Sequence, residues 1–402
     1  MSSNFKRREF LRLAGLGLGL GMTRTLAHAA DETEVHSLPR PHTSYPQFGR
    51  LPLVRASQDR IVKETVGLRP FRESGPNLSH EKIGDKSVFH NYGHGGSGWS
   101  LSWGTSSQVT TEALSTGAAN FAVVGCGAVG LTSAILLQRA GKEVTIYCKE
   151  RHPNITSSVA TGVWSPDSRI CLKDHATESF ADWWNTTCRT SFKFYQSFLG
   201  LPGSPIEWVD SYAVSNTPWD AERPKDPNDT QPEYGHFRDY VKDLTPRFVD
   251  LDRSENPFRE PYARKGSRMI FNISAYHQTL LREFTSLGGR IVTRDFQSPS
   301  QFQELPEPVI VNATGLGSQK LFGDKQMHPV RGQLTVLIPQ PELNYSFSNN
   351  DAYVIPRRDG VVIGSSKNGI IDSTNLSVDP RQSFDAVAAI ARSMTQSKIA
   401  KG

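Results

Sequence analysis

The chain has 402 residues, 37% of them hydrophobic and 21% charged, which fits a globular protein with a sizeable core and excludes a disordered or fibrous one. The formal net charge of +5 belongs to the front: residues 1–29 hold Lys6, Arg7, Arg8, Arg12 and Arg24 against Glu9 alone. What remains is close to neutral, so no basic nucleic-acid footprint is left.

The opening "NFKRREFLRLAGLGLGLGMTRTLAHAAD" predicts a signal peptide over residues 1–29, with a charged region, a Gly-Leu-rich apolar core and Ala27-His28-Ala29 before the cut. Arg7–Arg8 followed by Glu9, Phe10 and Leu11 resemble a twin-arginine signal, which exports folded, cofactor-loaded proteins to the periplasm or beyond. An ordinary secretory signal is the alternative. The apolar run falls short of the about 20 residues that a membrane helix needs. Residues 30–52 are polar and Pro-rich and read as a linker. "DRIVKETVGLRPFR" (59–72) alternates as a strand does and is expected to stop at Pro70.

"KSVFHNYG" (86–93) predicts a strand that runs into "FHNYGHGGSGWSLSWG" (89–104). Glycines interleaved with aromatic and hydroxyl side chains suit a segment that wraps a ligand with its backbone. "TSSQVTTEAL" (105–114) is a short helix candidate. A β–α–β unit follows: "NFAVVG" as strand, "GAVGLTSAILLQRAG" as helix, "KEVTIYC" as strand. Between the first strand and the helix, Gly125-Cys126-Gly127-Ala128-Val129-Gly130 matches G-x-G-x-x-G. Its first glycine permits a tight turn, its second lets a pyrophosphate approach, and its third lets helix and strand pack closely. The helix N-terminus supplies partial positive charge for the phosphates. The ribose-gripping acid expected at the end of the second strand is absent at Cys148, which leaves that contact open between Lys149 and Glu150.

Residues 176–199 are helical and aromatic-rich, residues 218–262 are Pro- and Asp-rich and read as surface, and "ISAYHQTLLREFTSLGG" (273–289) is helical. "PVIVNATG" (308–315), "RGQLTVLI" (331–338) and "DAYVIPRRDGVVIGSS" (351–366) read as strands, the last a hairpin turning at Asp359-Gly360. "DPRQSFDAVAAIARSM" (379–394) has helical apolar spacing. The four cysteines, Cys126, Cys148, Cys171 and Cys188, show no metal-ligand spacing, so no metal is expected. Cys171 and Cys188 are either bridged or buried free thiols.

Several segments together carry a resemblance: "VGLRPFRESGPN" (66–77), "HNYGHGGSGWSLSWG", "TSSVATGVWSP" (156–166), "VNATGLGSQKLFGD" (311–324), "HPVRGQ" (328–333) and "AYVIPRRDGVVIGSS". They resemble the D-amino-acid oxidase (DAO) family of FAD-dependent oxidoreductases, which includes D-aspartate oxidase and lies near glycine and sarcosine oxidases. The resemblance implies an α/β fold, with a Rossmann-like FAD-binding domain interleaved with an α+β substrate domain on an antiparallel sheet. The order departs from the family, where the "GLRP" strand and the glycine segment come last. Here they come first, which reads as a circular permutation with the old C-terminal helix joined to "NFAVVG". The organisation expected is a signal peptide (1–29), a linker (30–52), a permuted flavin- and substrate-site segment (53–117), an FAD-binding domain (118–170 and 308–325), a substrate domain (171–307 and 326–385) and a helix with tail (386–402).

By the same resemblance, Arg69 matches the arginine that pairs with the substrate carboxylate. Tyr353 matches a tyrosine reaching that carboxylate, and Gly96 a glycine whose carbonyl accepts from the substrate amine. Gly95, Ser97, Gly98, Trp99 and Ser100, with Thr156, Ser157, Thr161, Gly162 and Val163, would line the flavin beside Gly125, Gly127, Ala128, Val129 and Gly130. Thr314 and the region of Phe296 would meet the flavin nucleotide. Asn349 stands where the mammalian-type lid has a second tyrosine, so a shorter or differently gated lid is implied. Arg72, Arg331 and Arg357 read as surface or structural arginines, and His90 and His94 as structural histidines. The implied reaction is FAD-dependent oxidation of D-amino acids with oxygen as acceptor, by an exported enzyme that admits a homodimer. Transfer to a quinone, a glycine- or sarcosine-type oxidase, and a flavin-binding protein without activity are the alternatives.

Overall fold

The computed structural model describes residues 51–221, 231–366 and 369–395; the leader with Arg7 and Arg8 lies outside the described residues. The chain lays down β1 (Ile61–Arg72), β2 (His80–Ile83), β3 (Lys86–His90) and helix α1 (Gly98–Leu114). Then comes the unit β4 (Asn120–Val124), α2 (Ala128–Arg139) and β5 (Glu143–Cys148). Helix α3 (Glu178–Gln196) leads to β6 (Ile206–Ser215), β7 (Val249–Asp250), β8 (Tyr262–Phe271), α4 (Ile273–Ser286) and β9 (Arg290–Thr293). The last stretch holds β10 (Val309–Asn312), α5 (Gly317–Phe322), β11 (Met327–Leu337), β12 (Tyr345–Ser348), β13 (Ala352–Arg357), β14 (Gly360–Ser365), β15 (Ile370–Ile371) and α6 (Pro380–Thr395).

Two sheets organise these elements. One has the order β2-β3-β10-β4-β5-β9, with all but the edge strand β2 parallel. Its inner strands β10, β4 and β5 are short, buried, mainly apolar runs, as a sheet covered on both faces requires, while the edge strands β2 and β9 are charged and largely exposed. Trp103, Val109, Phe121, Leu131, Ile135 and Phe284 share the core under α1, α2 and α4, while Val88, Ala122, Phe302 and Ile310 fill the other side. The second sheet runs β1-β11-β14-β13-β12-β6-β8-β7, with β15 beside β11. It is antiparallel except where β12 pairs parallel with β6. Alternation along its strands makes two different faces. Val354, Val361 and Ile363 point to α6, where they meet Val387 and Ile390. Their neighbours Ile355 and Val362 join Ile270 and Leu334 on the opposite face.

The structure departs from the sequence expectations at definite places. Strand β1 does not stop at Pro70 but runs to Arg72, because Pro70 sits on an edge strand opposite Pro329. Two facing prolines form a non-hydrogen-bonded pair in which neither N–H is missed. The helix predicted at 105–114 starts at Gly98, so half of the glycine-rich segment is helical. Packing overrides propensity there: Trp103 stacks on Phe194 at 4.5 Å and donates to the Tyr276 hydroxyl at 2.7 Å. Gly104 lies where a methyl would strike the Thr187 carbonyl, so its bareness lets α1 approach α3. The hairpin turns at Arg358-Asp359, one residue early, with β14 opening at Gly360. Residues 218–262 are not all surface, since Phe237, Val241 and Phe258 are buried. Cys171 and Cys188 are buried free thiols. No helix among the described residues is long and apolar enough to cross a membrane.

Candidate active site

A cavity of about 1140 Å³ runs between the two sheets. The C-terminal ends of β3, β10, β4, β5 and β9 all open into it, through Asn91–Gly96, Ala313–Gly317, Gly125–Val129, Lys149–Glu150 and Arg294–Phe296. That is the crevice where open parallel sheets bind their ligands. Gly125 holds φ 116°, a conformation open to glycine, and a side chain there would strike the Ala313 carbonyl. A methyl at Gly130 would strike the carbonyl of Gly125, so this glycine packs helix against turn. At Gly127 the nearest atom to an added methyl is the Ser157 hydroxyl at 3.0 Å, and that hydroxyl accepts from the Ala128 N–H at 3.0 Å. The first amide of α2 is thus presented to an oxygen, as a phosphate-binding terminus must be.

The far end of the cavity is built on the second sheet. β1 presents Gly67 and Arg69, β11 Gly332 and Leu334, β13 Tyr353 and Ile355, and β8 Arg268. Two glycines make room for the polar groups. A methyl at Gly332 would collide with the Arg69 guanidinium, and one at Gly364 with the Tyr353 hydroxyl. Arg69 Nη1 is shut off from solvent and has no hydrogen-bond partner among the described residues. Burial first, then the nearby Arg169 cation, lower the Arg69 pKa below its ordinary value. A buried donor of this kind calls for an anion.

The glycine segment is locked to the strand residues that follow Arg69. Gly95 N–H donates to the Pro70 carbonyl at 2.8 Å, Phe71 bridges His94, and Gly96 N–H donates to the Ser168 carbonyl at 2.9 Å. Gly95 has no side chain to strike the Arg169 carbonyl, and Arg169 itself holds a left-handed backbone at φ 52°. The two histidines of this segment hold it in place. His94 is buried against Thr105 at 2.9 Å, with its pKa pushed down to about 3 by burial, and His90 lies between Glu81 and Asn312. Arg72 pairs with Asp324 at 2.9 Å, Arg357 with Asp359 at 2.5 Å, and Arg331 donates to the carbonyls of Asn375 and Ser377.

The family model for FAD-dependent oxidoreductases of the DAO type matches residues 120–400, well over half of the chain. The chain belongs to the DAO family of FAD-dependent oxidoreductases. It is 28% identical over 253 residues to a D-amino acid oxidase of Dugesia ryukyuensis, covering 61% of this chain and 68% of that one. A D-amino-acid oxidase of Dictyostelium discoideum is 27% identical over 285 residues, covering 70% and 75%. A human D-aspartate oxidase is 24% identical over 282 residues, covering 67% and 74%. Among solved structures, glycine oxidase from Bacillus cereus is similar at 16% identity, covering 69% of this chain and 78% of that one, with a TM-score of 0.49.

FAD is the cofactor of this family, and the cavity suits it. Its volume exceeds the roughly 300–1,000 Å³ of ordinary small-molecule pockets. Gly125, Gly127, Ala128 and Val129 would hold the pyrophosphate, with Thr314 across from them. Lys149 pairs with Asp295 at 3.5 Å, and Glu150 lines the cavity beside them. Gly95, Gly98, Trp99, Thr156, Ser157, Thr161, Gly162 and Val163 also line the cavity. Trp99 donates its indole N–H to the Ser157 carbonyl at 2.8 Å and so ties α1 to that wall.

Three expected FAD-lining residues do not line it. Ser97 and Ser100 turn their hydroxyls to the 165–168 backbone, Ser97 donating to the Ser168 carbonyl at 3.1 Å and Ser100 accepting from Ser165 N–H at 2.8 Å. Gly130 serves packing, as described. Asn349 is no gate: it accepts from the N–H groups of Asp351 and Ala352 and donates to Ser393 Oγ, which closes a three-residue turn against α6. Sequence reading missed Gly332, Gly364 and Arg268. The two glycines carried no signal, and Arg268 lay in a charged stretch that looks solvent-facing.

Proposed function

We propose that the chain oxidises D-amino acids with FAD and oxygen, giving imino acid and hydrogen peroxide; water then converts the imino acid to a 2-oxo acid and ammonia. The observation that carries this reading is Arg69, whose enclosed Nη1 lacks a partner among the described residues and which shares with Tyr353 the cavity that suits FAD. A planar guanidinium fork is the natural anchor for a carboxylate. The relatives' names support an amino acid as substrate and the D-enantiomer as the form used.

In this reading Arg69 and the Tyr353 hydroxyl hold the substrate carboxylate, and the Gly96 carbonyl accepts from the amine. FAD, when bound, supplies the acceptor for the hydride leaving Cα. The chain's task is to fix the substrate against it and keep competing groups away. No carboxylate joins Arg69 at this end among the described residues, and no general base is needed once the amine is neutral. The leader supports export of the folded, FAD-loaded chain. Oxygen uptake and peroxide release across D- and L-amino acids, glycine and sarcosine test the reading. D-amino acids should give one peroxide per oxygen; preference for the L-enantiomers, or turnover needing a quinone, would contradict it.

A further inference from the structure

Arg268 lines the cavity at the end where Arg69 stands, and carboxylate anchoring at Arg69 does not use it. It stands on β8 two residues before Ile270, and so on the face that carries Ile270, Ile355, Leu334 and Tyr353. The bridge between Val163 and Ile270 and the Trp164 N–H bond to Met269 place it beside the 163–165 wall. Its neighbours are cationic or neutral: Arg238 and Tyr353 are the charged or titratable groups that act on it, and burial lowers its pKa to about 10. Arg238 is already committed, donating to Asp167 at 3.1 Å. Arg268 makes no ion pair or hydrogen bond with any described residue, whereas Arg72, Arg238 and Arg357 each hold a carboxylate. The acids that line the cavity, Glu150 and Asp295, follow β5 and β9 at the nucleotide end.

Tyr353 lines the same cavity as two guanidinium groups, Arg69 and Arg268, and interacts electrostatically with both. A substrate with one carboxylate answers one of them and leaves the other desolvated beside Arg238. A partly buried cation without a counter-charge is costly. We propose that Arg268 is a specificity residue that binds a second carboxylate, so that the substrate is an acidic amino acid held at both ends. Arg69 takes the α-carboxylate and Arg268 the side-chain carboxylate, with Cα kept between them. This rests on the amino-acid reading above for its chemistry, though not for its binding.

Two measurements on the flavin-loaded protein test it. In turnover, D-aspartate and D-glutamate are compared with D-asparagine and D-glutamine, which match them in size and lack the charge. The wild type should favour the acids, mainly through KM. Arg268→Gln should lower the acid-over-amide ratio of kcat/KM by about 100-fold, the scale expected when a buried charge partner is removed. Arg268→Lys should restore part of that ratio. A wild-type ratio at or below one, or a ratio untouched in Arg268→Gln, overturns the proposal. In equilibrium binding, succinate is titrated against butyrate and followed by the visible flavin spectrum, without any turnover. Tighter binding of succinate supports the second anion site even if no amino acid is oxidised; equal binding overturns it even if neutral amino acids are.

Discussion

At the scale of single residues, Arg69 is the position on which the proposed function turns. Its Nη1 has no partner among the described residues, and Gly332 leaves the space that its fork fills. Losing the fork should cost about 2–5 kcal/mol of substrate recognition, because the carboxylate is left poorly paired. Arg69→Ala should therefore lose most of its catalytic efficiency while retaining flavin, whose contacts lie on other segments. Arg69→Lys keeps the charge without the fork and should remain seriously impaired. Tyr353→Phe removes one hydrogen bond to a charged group and should cost less, about 1.5–3 kcal/mol. Steady-state kinetics with flavin occupancy measured alongside check this. Near-normal efficiency in a flavin-loaded Arg69→Ala protein would remove the carboxylate anchor.

At the scale of elements, the second sheet works by pairing a large polar side chain on one strand with a bare glycine on the next. Gly364 of β14 lies opposite Tyr353 of β13 in register. Gly364→Ala pushes a methyl into the phenol, and overpacking of this kind costs about 1–3 kcal/mol. The variant should show a lowered thermal midpoint and a KM raised about 10-fold or more; unchanged values of both would mean that the glycine does not set the tyrosine's position. The sequence made the β4–α2–β5 unit legible, since glycines at 125, 127 and 130 in that context have a local meaning. Arg69 and Tyr353 were legible through motif resemblance. The strands β6 and β8 were not. "IEWVDSYAVS" and "YARKGSRMIF" mix charge with apolar residues, and long-range pairing alone turns the Arg268 side of β8 to the cavity. Ser97 and Ser100 were misassigned for the same reason: their partners at 165–168 are distant in sequence.

At the scale of the molecule, the two ends of the described body meet. The Tyr345 hydroxyl donates to the Pro52 carbonyl at 2.7 Å and lies 3.8 Å from Met394 sulfur, while Val54 shares a core with Val387 and Ile390. At the other junction, α1 and β4 share the core through Val109, Ala113 and Phe121. We propose that this chain is a circular permutation of the family order. Natural ends that lie close together tolerate such rearrangement. A chain beginning at residue 118 and running to 395, then joined by a short linker to 53–117, should fold, bind FAD and keep activity. A soluble product without flavin would count against permutation.

The central claim, a carboxylate-anchored D-amino acid set against FAD, is tested most directly by mixing the flavin-loaded protein with amino acids in the absence of oxygen. The account predicts that D-amino acids bleach the visible flavin absorbance, that their L-enantiomers leave it unchanged, and that admitting oxygen restores it with release of peroxide. An oxidised flavin spectrum that persists with every D-amino acid tried, in protein whose flavin is fully loaded, would contradict it.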